Sequence, residues 1–276
     1  MTRPSATDIR ILRVPTVYLV SKQTMVPGEL DRFLADHGVS WSSDSSVASE
    51  VVTETAGRVC YMSFAKPRPG GNRAYLTHIK EVGHGSVFEH AVWSFLITGV
   101  SRSLTHELVR HRAGWAYSQL SQRYVDESVA EYVEPDIIAD DPELHAIWLA
   151  AVANVHAAYV ELAEKLNVKL ADPQAATNAM LPPTSDRTTI RKTARQAARS
   201  ILPNATETKI TVTANARALR HFLEQRGSAF AEPEIRKLAT VLLDLLVEDS
   251  PNLFGDYVKS PLPDGTFELK TNFAKV

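Results

Sequence analysis

The chain has 276 residues, 44% hydrophobic and 22% charged, an ordinary globular composition that excludes wholesale disorder. Its 30 Lys and Arg nearly balance 32 Asp and Glu, for a formal charge of −2; this excludes a protein that holds a nucleic acid polymer by bulk electrostatics, yet leaves room for local basic pockets. One cysteine, Cys60, excludes an intramolecular disulfide framework and a multi-cysteine zinc site, and no apolar run approaches the roughly 20 residues of a bilayer span, so the chain reads as cytoplasmic with no membrane partner.

In chain order, the opening MTRPSATDIRILRVP lacks the long apolar core of a secretory signal. Residues 9–20 form a β-branched run interrupted by Pro15 and predict an edge strand. Residues 40–71 look mixed, with an apolar patch around Val51 and Val59 and a KPRPGG turn at 66–71. A short amphipathic helix is expected from Asn72 to Val82, ended by Gly83, and 87–100, VFEHAVWSFLITGV, reads as a long strand. Ser101 or Ser103 can cap a helix running through LTHELVRHR. The strongest helical periodicity covers 141–168, through Leu144, Ile147, Trp148, Ala151, Val155, Tyr159 and Leu162. Pro182-Pro183 breaks the chain before a helix at 186–201, and further helices are expected at 213–226 and 233–248. These elements predict an α+β fold, a small mixed sheet flanked by a layer of helices, as a single domain over 1–276 with 1–50 as an N-terminal extension.

The densest polar stretch is 102–124, RSLTHELVRHRAGWAYSQLSQRY. Its His106-Glu107 lacks a second histidine four positions on, because position 110 is Arg, so a helical zinc site is not expected. Arg110, His111 and Arg112 would fan around a helix, but at a terminus or loop they can converge on a phosphate. Ser118, Gln119, Ser121 and Gln122 can pair with the edge of a planar heterocycle, with Arg123 for a phosphate. A second cluster, His84, Ser86, Glu89 and His90, sits where glycines 83 and 85 allow close backbone approach, at the entry to the long strand. The third is Asn215, Arg217, His221 and Arg226 on one predicted helix, with Arg199 on the helix before it.

Together these stretches resemble the flavin-dependent thymidylate synthases. That family carries Arg-His-Arg, seven residues, then Ser, with Arg two positions later and Tyr after it. It also has an upstream His-x-[Ser/Thr]-x-x-Glu-His segment and a downstream Asn-x-Arg helix ending in Arg. Matching positions here are His84, Ser86, Glu89 and His90; Arg110, His111 and Arg112; Ser121, Arg123 and Tyr124; and Asn215, Arg217 and Arg226, over about residues 55–245. The resemblance implies a thymidylate synthase-complementing-like fold and methylation of uracil C5 in UMP or dUMP. Methylenetetrahydrofolate would be the carbon donor, FAD the reductant and NADPH its source of electrons, in a homotetramer with sites between subunits. It further implies that His84, Ser86, Glu89, Arg110, His111, Arg112, Asn215, Arg217 and His221 contact FAD. Glu107, Gln119, Ser121, Gln122, Arg123, Arg199 and Arg226 would hold the nucleotide, Arg102 being a further phosphate candidate, with Arg226 and Ser121 catalytic and no metal involved.

Three departures stand out. Eight residues, AGWAYSQL, separate Arg112 from Ser121 where the family has seven; Glu107 replaces a common glutamine; and Phe230 stands four positions after Arg226 where many members carry histidine. The longer loop raises the expectation that UMP, with its 2′-hydroxyl, is accepted as in the nucleoside-antibiotic (polyoxin-type) methylases; the alternative is an ordinary dUMP-specific enzyme. Cys60, between apolar residues in GRVCYMSF, is expected to be a core residue and not a thiolate for uracil C6. The rival readings are a flavin-binding module without catalysis and an RNA-binding protein stacking bases on Tyr117 and Tyr124.

Overall fold

A computed structural model describes residues 9–66, 69–125, 129, 131–179, 181–182 and 185–274. The first eight residues of the expected N-terminal extension, 67–68 of the predicted turn, and Pro183 of the Pro-Pro break lie outside them.

The elements are β1 (Arg10–Leu12), β2 (Thr16–Lys22), α1 (Glu29–Asp36), α2 (Ala48–Val59), α3 (Gly71–Glu81), β3 (Val92–Ser101), α4 (Arg102–Leu108), β4 (Trp115–Gln119), β5 (Glu131–Val133), α5 (Asp136–Ala139), α6 (Pro142–Ala171), α7 (Pro173–Asn178), α8 (Arg187–Ala198), β6 (Glu207–Asn215), α9 (Ala216–Arg226), α10 (Pro233–Asp249), α11 (Pro251–Phe254), β7 (Val258–Pro261) and β8 (Phe267–Lys270). Four strands form a sheet in the order β2-β3-β6-β4, so the α+β expectation holds, and Pro15 separates the short β1 from the edge strand β2.

The chain divides into two compact units, Met1–Val14, Thr98–His106 and Gln119–Lys209 in one, and Pro15–Ile97, Glu107–Ser118 and Ile210–Val276 in the other. Strands β3 and β6 carry the chain from one to the other. In unit one, β1 pairs parallel to β5 with Arg10, Ile11 and Leu12 opposite Glu131, Tyr132 and Val133. Buried Tyr132 and Val152 pack there with Ile9 and Trp148. The long helix α6 begins where Asp141 accepts hydrogen bonds from Glu143 N (2.8 Å) and Leu144 N (3.2 Å), with Pro142 in the first turn. In unit two, Trp93, Phe95, Phe222 and Phe254 are fully buried with Leu238, Leu242 and Leu246 of α10. At the edge of this core, Trp93 Nε1 donates to Asp249 at 2.8 Å. Buried Glu54 on α2 binds Arg58 (2.8 and 2.7 Å) and Asn72 of α3 (2.7 Å), locking the two helices together.

Several expectations are corrected. The segment Gly85–His90 is a 3-10 turn and the strand starts at Val92, so Phe88 and Glu89 do not alternate across a strand. Ser101, whose Oγ accepts from Leu104 N at 3.0 Å, caps α4, and the helix stops at Leu108, short of the arginines. Residues 213–215 end a strand, β6, whose alternation (ETKITVTAN) was passed over; helix α9 begins only after Asn215. The mixed region conceals helix α2, AGWAYSQL contains β4, and the C-terminal β7–β8 hairpin was missed. Finally, α6 contains an 18-residue window of mean hydropathy 1.4, long and apolar enough by composition to cross a membrane, with 17% of that window buried; scattered polar residues hid it from a search for an unbroken run.

Candidate active site

Unit two brings the arginine-histidine triplet against a helix far along the chain. Beyond Leu108 the backbone turns: Arg110 N and His111 N donate to Glu107 O and Leu108 O, each at 3.1 Å. The three cationic positions are thereby freed from helical spacing. A second turn, closed by Trp115 N to Arg112 O at 3.2 Å, carries Gly114 at φ +75° and feeds β4. Asn215 fastens this turn to α9. Its N donates to Gly114 O (3.1 Å), while its Oδ1 accepts from Ala218 N (2.8 Å) as the helix cap. Along α9, Arg217, His221 and Gln225 recur every four residues on one face, and Arg226 ends the helix.

The result is a cavity of about 360 Å³ lined by Arg110, His111, Arg112, Ala113, Trp115, His221, Gln225 and Arg226. Within it Arg226 Nε donates to His111 Nε2 at 3.0 Å, and Arg226 Nη1 to Glu107 Oε2 at 2.5 Å. Burial, then the Arg226 guanidinium and His221, hold the His111 pKa at about 4. The imidazole is therefore neutral at pH 7 and, with Nε2 accepting, carries its proton on Nδ1. Burial raises the Glu107 carboxyl, as does the Glu232 carboxylate beside it, while Arg226 opposes both. Tyr117 donates its hydroxyl to Leu108 O (2.9 Å) and His111 O (2.6 Å). It acts as a strut beneath the triplet, not the free stacking platform of the RNA-binding reading.

A second cavity in this unit, about 330 Å³, is lined by Cys60, Tyr61, His84, Gly85, Ser86 and Arg217 among others. The His84 ring stacks on Tyr61 with centroids 6.4 Å apart, and Glu89 pairs with Arg217 at 2.6 Å. Cys60 is exposed, contrary to expectation, because α2 ends there and turns the thiol out of the core; it is not among the residues lining the Arg226 cavity. Phe230 is 99% exposed.

The remaining candidates belong to unit one. Gln119 Nε2 is committed to Thr105 Oγ1 (3.1 Å) and Thr208 Oγ1 (3.3 Å), so its amide donor is engaged within the chain. Gln122 is buried, and among the described residues neither its Nε2 nor the buried Arg123 Nε has a hydrogen-bond partner. An unsatisfied buried donor costs about 1–3 kcal/mol, so an acceptor placed at either group would be stabilising. Ser121 opens the turn that places them, its carbonyl accepting from Tyr124 N and Val125 N. Arg102 starts α4 with its N bonded to Thr206 O (3.0 Å), and Arg199 opens the 3-10 turn after α8. One residue was overlooked: Lys192, 4.6 Å from the centroid of the Tyr124 ring, whose hydrogen bond lowers that phenol's pKa. Its spacing with Arg195, one turn further along α8, was the available signal. Among the described residues no group of three His, Cys, Asp or Glu could hold a metal ion.

Comparison with known proteins decides the lineage. The thymidylate synthase complementing protein family matches residues 44–252. This chain belongs to that family. Within the thymidylate synthase complementing proteins, the flavin-dependent thymidylate synthase of Mycolicibacterium gilvum is 51% identical over 236 residues, 85% of this chain and 89% of its own. That of Mycobacterium leprae strain TN is 50% identical over 237 residues, with the same coverage. Two solved structures share the fold: the UMP/dUMP methylase PolB from Streptomyces cacaoi bound with 5-Br UMP (TM-score 0.59, 21% identity, 90% of this chain and 95% of that one), and thymidylate synthase X from Helicobacter pylori with FAD and dUMP (0.55, 22%, 88% and 98%). At these identities the structural likeness speaks for the fold alone. Family membership makes the chain a flavin-dependent enzyme of the thymidylate synthase type.

Proposed function

We propose that this enzyme methylates C5 of uracil in dUMP, with methylenetetrahydrofolate as carbon donor. The observation that carries this reading is the contact between Arg226 and His111, 115 residues apart in sequence, inside a cavity built from the family's Arg-His-Arg motif. Bound FAD, reloaded by NADPH, would supply the hydride that completes the methyl group.

The chain's own groups fit such a cofactor. A planar ring finds the Trp115 indole and the imidazoles of His111 and His221 in the first cavity. The guanidinium groups of Arg110, Arg112 and Arg217 and the open space at Gly83 suit a diphosphate. His84, Ser86, Glu89, Asn215 and His221 complete this set, Asn215 by fixing the Gly114 turn. For the nucleotide, Arg123, Lys192, Arg199 and Arg102 supply charge for the phosphate. Gln122 and Ser121 offer donors and acceptors for the base edge, with Gln119 and Glu107 helping to hold the site. Arg226 would polarise a uracil carbonyl as charge develops on the ring, and neutral His111 can hold a proton at Nδ1 toward a ligand oxygen. No thiolate is required.

A second reading, that UMP is also accepted, is supported by the extra residue between Arg112 and Ser121 and by nothing else. The 50%-identical relatives favour dUMP. The uncovered apolar positions on α6, among them Ile147 (62% exposed) and Val168 (76%), support a homotetramer in which other copies cover that helix. The test is direct: the purified protein should be yellow, bleach with NADPH, and recolour on adding methylenetetrahydrofolate with dUMP while dTMP forms. Parallel assays with UMP at matched concentration separate the two substrates. A colourless protein that forms no methylated nucleotide would defeat the proposal.

A further inference from the structure

We infer that Trp115 is a cofactor-positioning residue, its indole forming a fixed wall against which the flavin ring lies. The inference rests on the flavin reading above and names a residue between the Arg-His-Arg triplet and Ser121 to which the resemblance assigns no role.

Eight residues separate Arg112 from Ser121. Strand β4 is registered against β6, with Leu120 N bonded to Lys209 O at 2.8 Å, and a slip of one position would turn every side chain of β4 to the opposite face. An added residue accommodated ahead of the strand, in the Arg112–Trp115 turn, leaves that register intact. Gly114 takes a left-handed φ of +75° there, a conformation glycine adopts without steric cost. The observed alternation confirms the register: Trp115, Tyr117 and Gln119 are half-buried on one face, and Ala116 and Ser118 are exposed on the other.

With that register, the indole is braced on several sides. It stacks on Tyr117 at 5.8 Å between centroids and 5° between planes. It meets fully buried Phe222 at 5.6 Å and His111 at 6.2 Å. Tyr117 is itself pinned by two hydrogen bonds to backbone carbonyls. The surface of Trp115 that remains lines the cavity shared with Arg110, Arg112 and Arg226. A ring already held in place loses little freedom on binding. An electron-rich indole beside three guanidinium groups favours an electron-poor planar ring bearing carbonyl oxygens, which describes isoalloxazine: stacking attracts the plane and the arginines its oxygens. A pyrimidine nucleotide shares part of this chemistry, so the experiment must separate the two.

The experiment titrates FAD into apoprotein of wild type, Trp115→Phe and Trp115→Ala, following flavin absorbance and tryptophan fluorescence, with dUMP affinity measured calorimetrically on FAD-loaded protein. Trp115→Ala should weaken FAD binding about ten- to hundredfold and Trp115→Phe less than about fivefold, with dUMP affinity moving less than about threefold. Trp115→Phe should also lose part of the indole quenching that FAD causes in wild type, a readout independent of whether the alanine variant folds. FAD affinity within twofold of wild type for both variants, unchanged quenching in Trp115→Phe, or a loss confined to dUMP would overturn the inference while leaving the function intact. Wild type that binds no FAD would overturn both.

Discussion

Arg226 grips Glu107 and His111 at once, Nη1 donating to the carboxylate at 2.5 Å and Nε to the imidazole at 3.0 Å. A lysine cannot span both partners with one ammonium. Arg226→Lys should therefore lower kcat/KM at least ~100-fold with little loss of stability. Arg226→Ala should cost about 1–2 kcal/mol by leaving Glu107 beside the Glu232 carboxylate without its counter-charge. Adding Glu107→Gln to Arg226→Ala should restore ~1 kcal/mol of that loss, measured as a double-mutant cycle by urea unfolding. A double variant no more stable than Arg226→Ala would show that Glu107 carries no unfavourable charge.

His111 gives the fold a dependence on mild acid. Its folded-state pKa of about 4 lies below the ordinary 6.5 because burial disfavours the cation and Arg226 repels it. Between those values the unfolded chain binds a proton that the folded chain refuses. The stabilisation is thus complete above pH 6.5 and is lost as pH falls toward 4. Discounted for the partial exposure of the ring, the effect is on the order of 1–2 kcal/mol. Urea midpoints at pH 7 and pH 5 should separate for wild type by more than they do for His111→Gln.

Gly114 tolerates no side chain. A Cβ there would lie 2.6 Å from Asn215 Nδ2 and 2.8 Å from Ala218 Cβ, on a backbone at φ +75°. Gly114→Ala should cost ~2–3 kcal/mol, read as a lowered melting temperature, and should weaken FAD binding because the turn and the cap of α9 shift together. An unchanged melting temperature would contradict the tight packing of that turn.

Asp256 anchors the base of α9 in unit two. Arg220 reaches both its oxygens (2.9 and 2.8 Å) and Lys80 donates at 2.6 Å. Burial would raise this carboxyl, but Arg220 and Lys80 hold it at about 2. A depressed carboxylate stabilises above its unfolded value near 4 and loses that contribution as pH falls toward 2. Asp256→Asn leaves two buried cations without a counter-charge and should cost about 3–5 kcal/mol, visible in thermal unfolding at pH 7. It should also flatten the acid limb below pH 4.

Local signals in the chain carried well. Asp141-Pro142 before an apolar period sets the start of α6, Gly83 the end of α3, and Pro15 the break before an edge strand, each through constraints acting within a few residues. The motif arginines were legible because their types and order are unusual in combination. Strand β6 was legible only in part: Ile210, Val212 and Ala214, all buried, alternate with Thr211 and Thr213, but the β3 and β4 partners that make it a strand lie far away in the chain. Cys60 looked like core from its neighbours, yet the end of α2 turns it outward.

What the sequence determined unaided was the inventory: caps, breaks, helical periods, and which guanidinium, imidazole and amide groups were available. Tertiary structure alone decided that Arg226 meets His111, that Gln119 spends its amide on two threonines while Gln122 keeps its own unsatisfied, and that Trp115 faces a cavity. Those outcomes depend on distances between residues far apart in the chain, set by sheet registration and helix packing that no local propensity encodes.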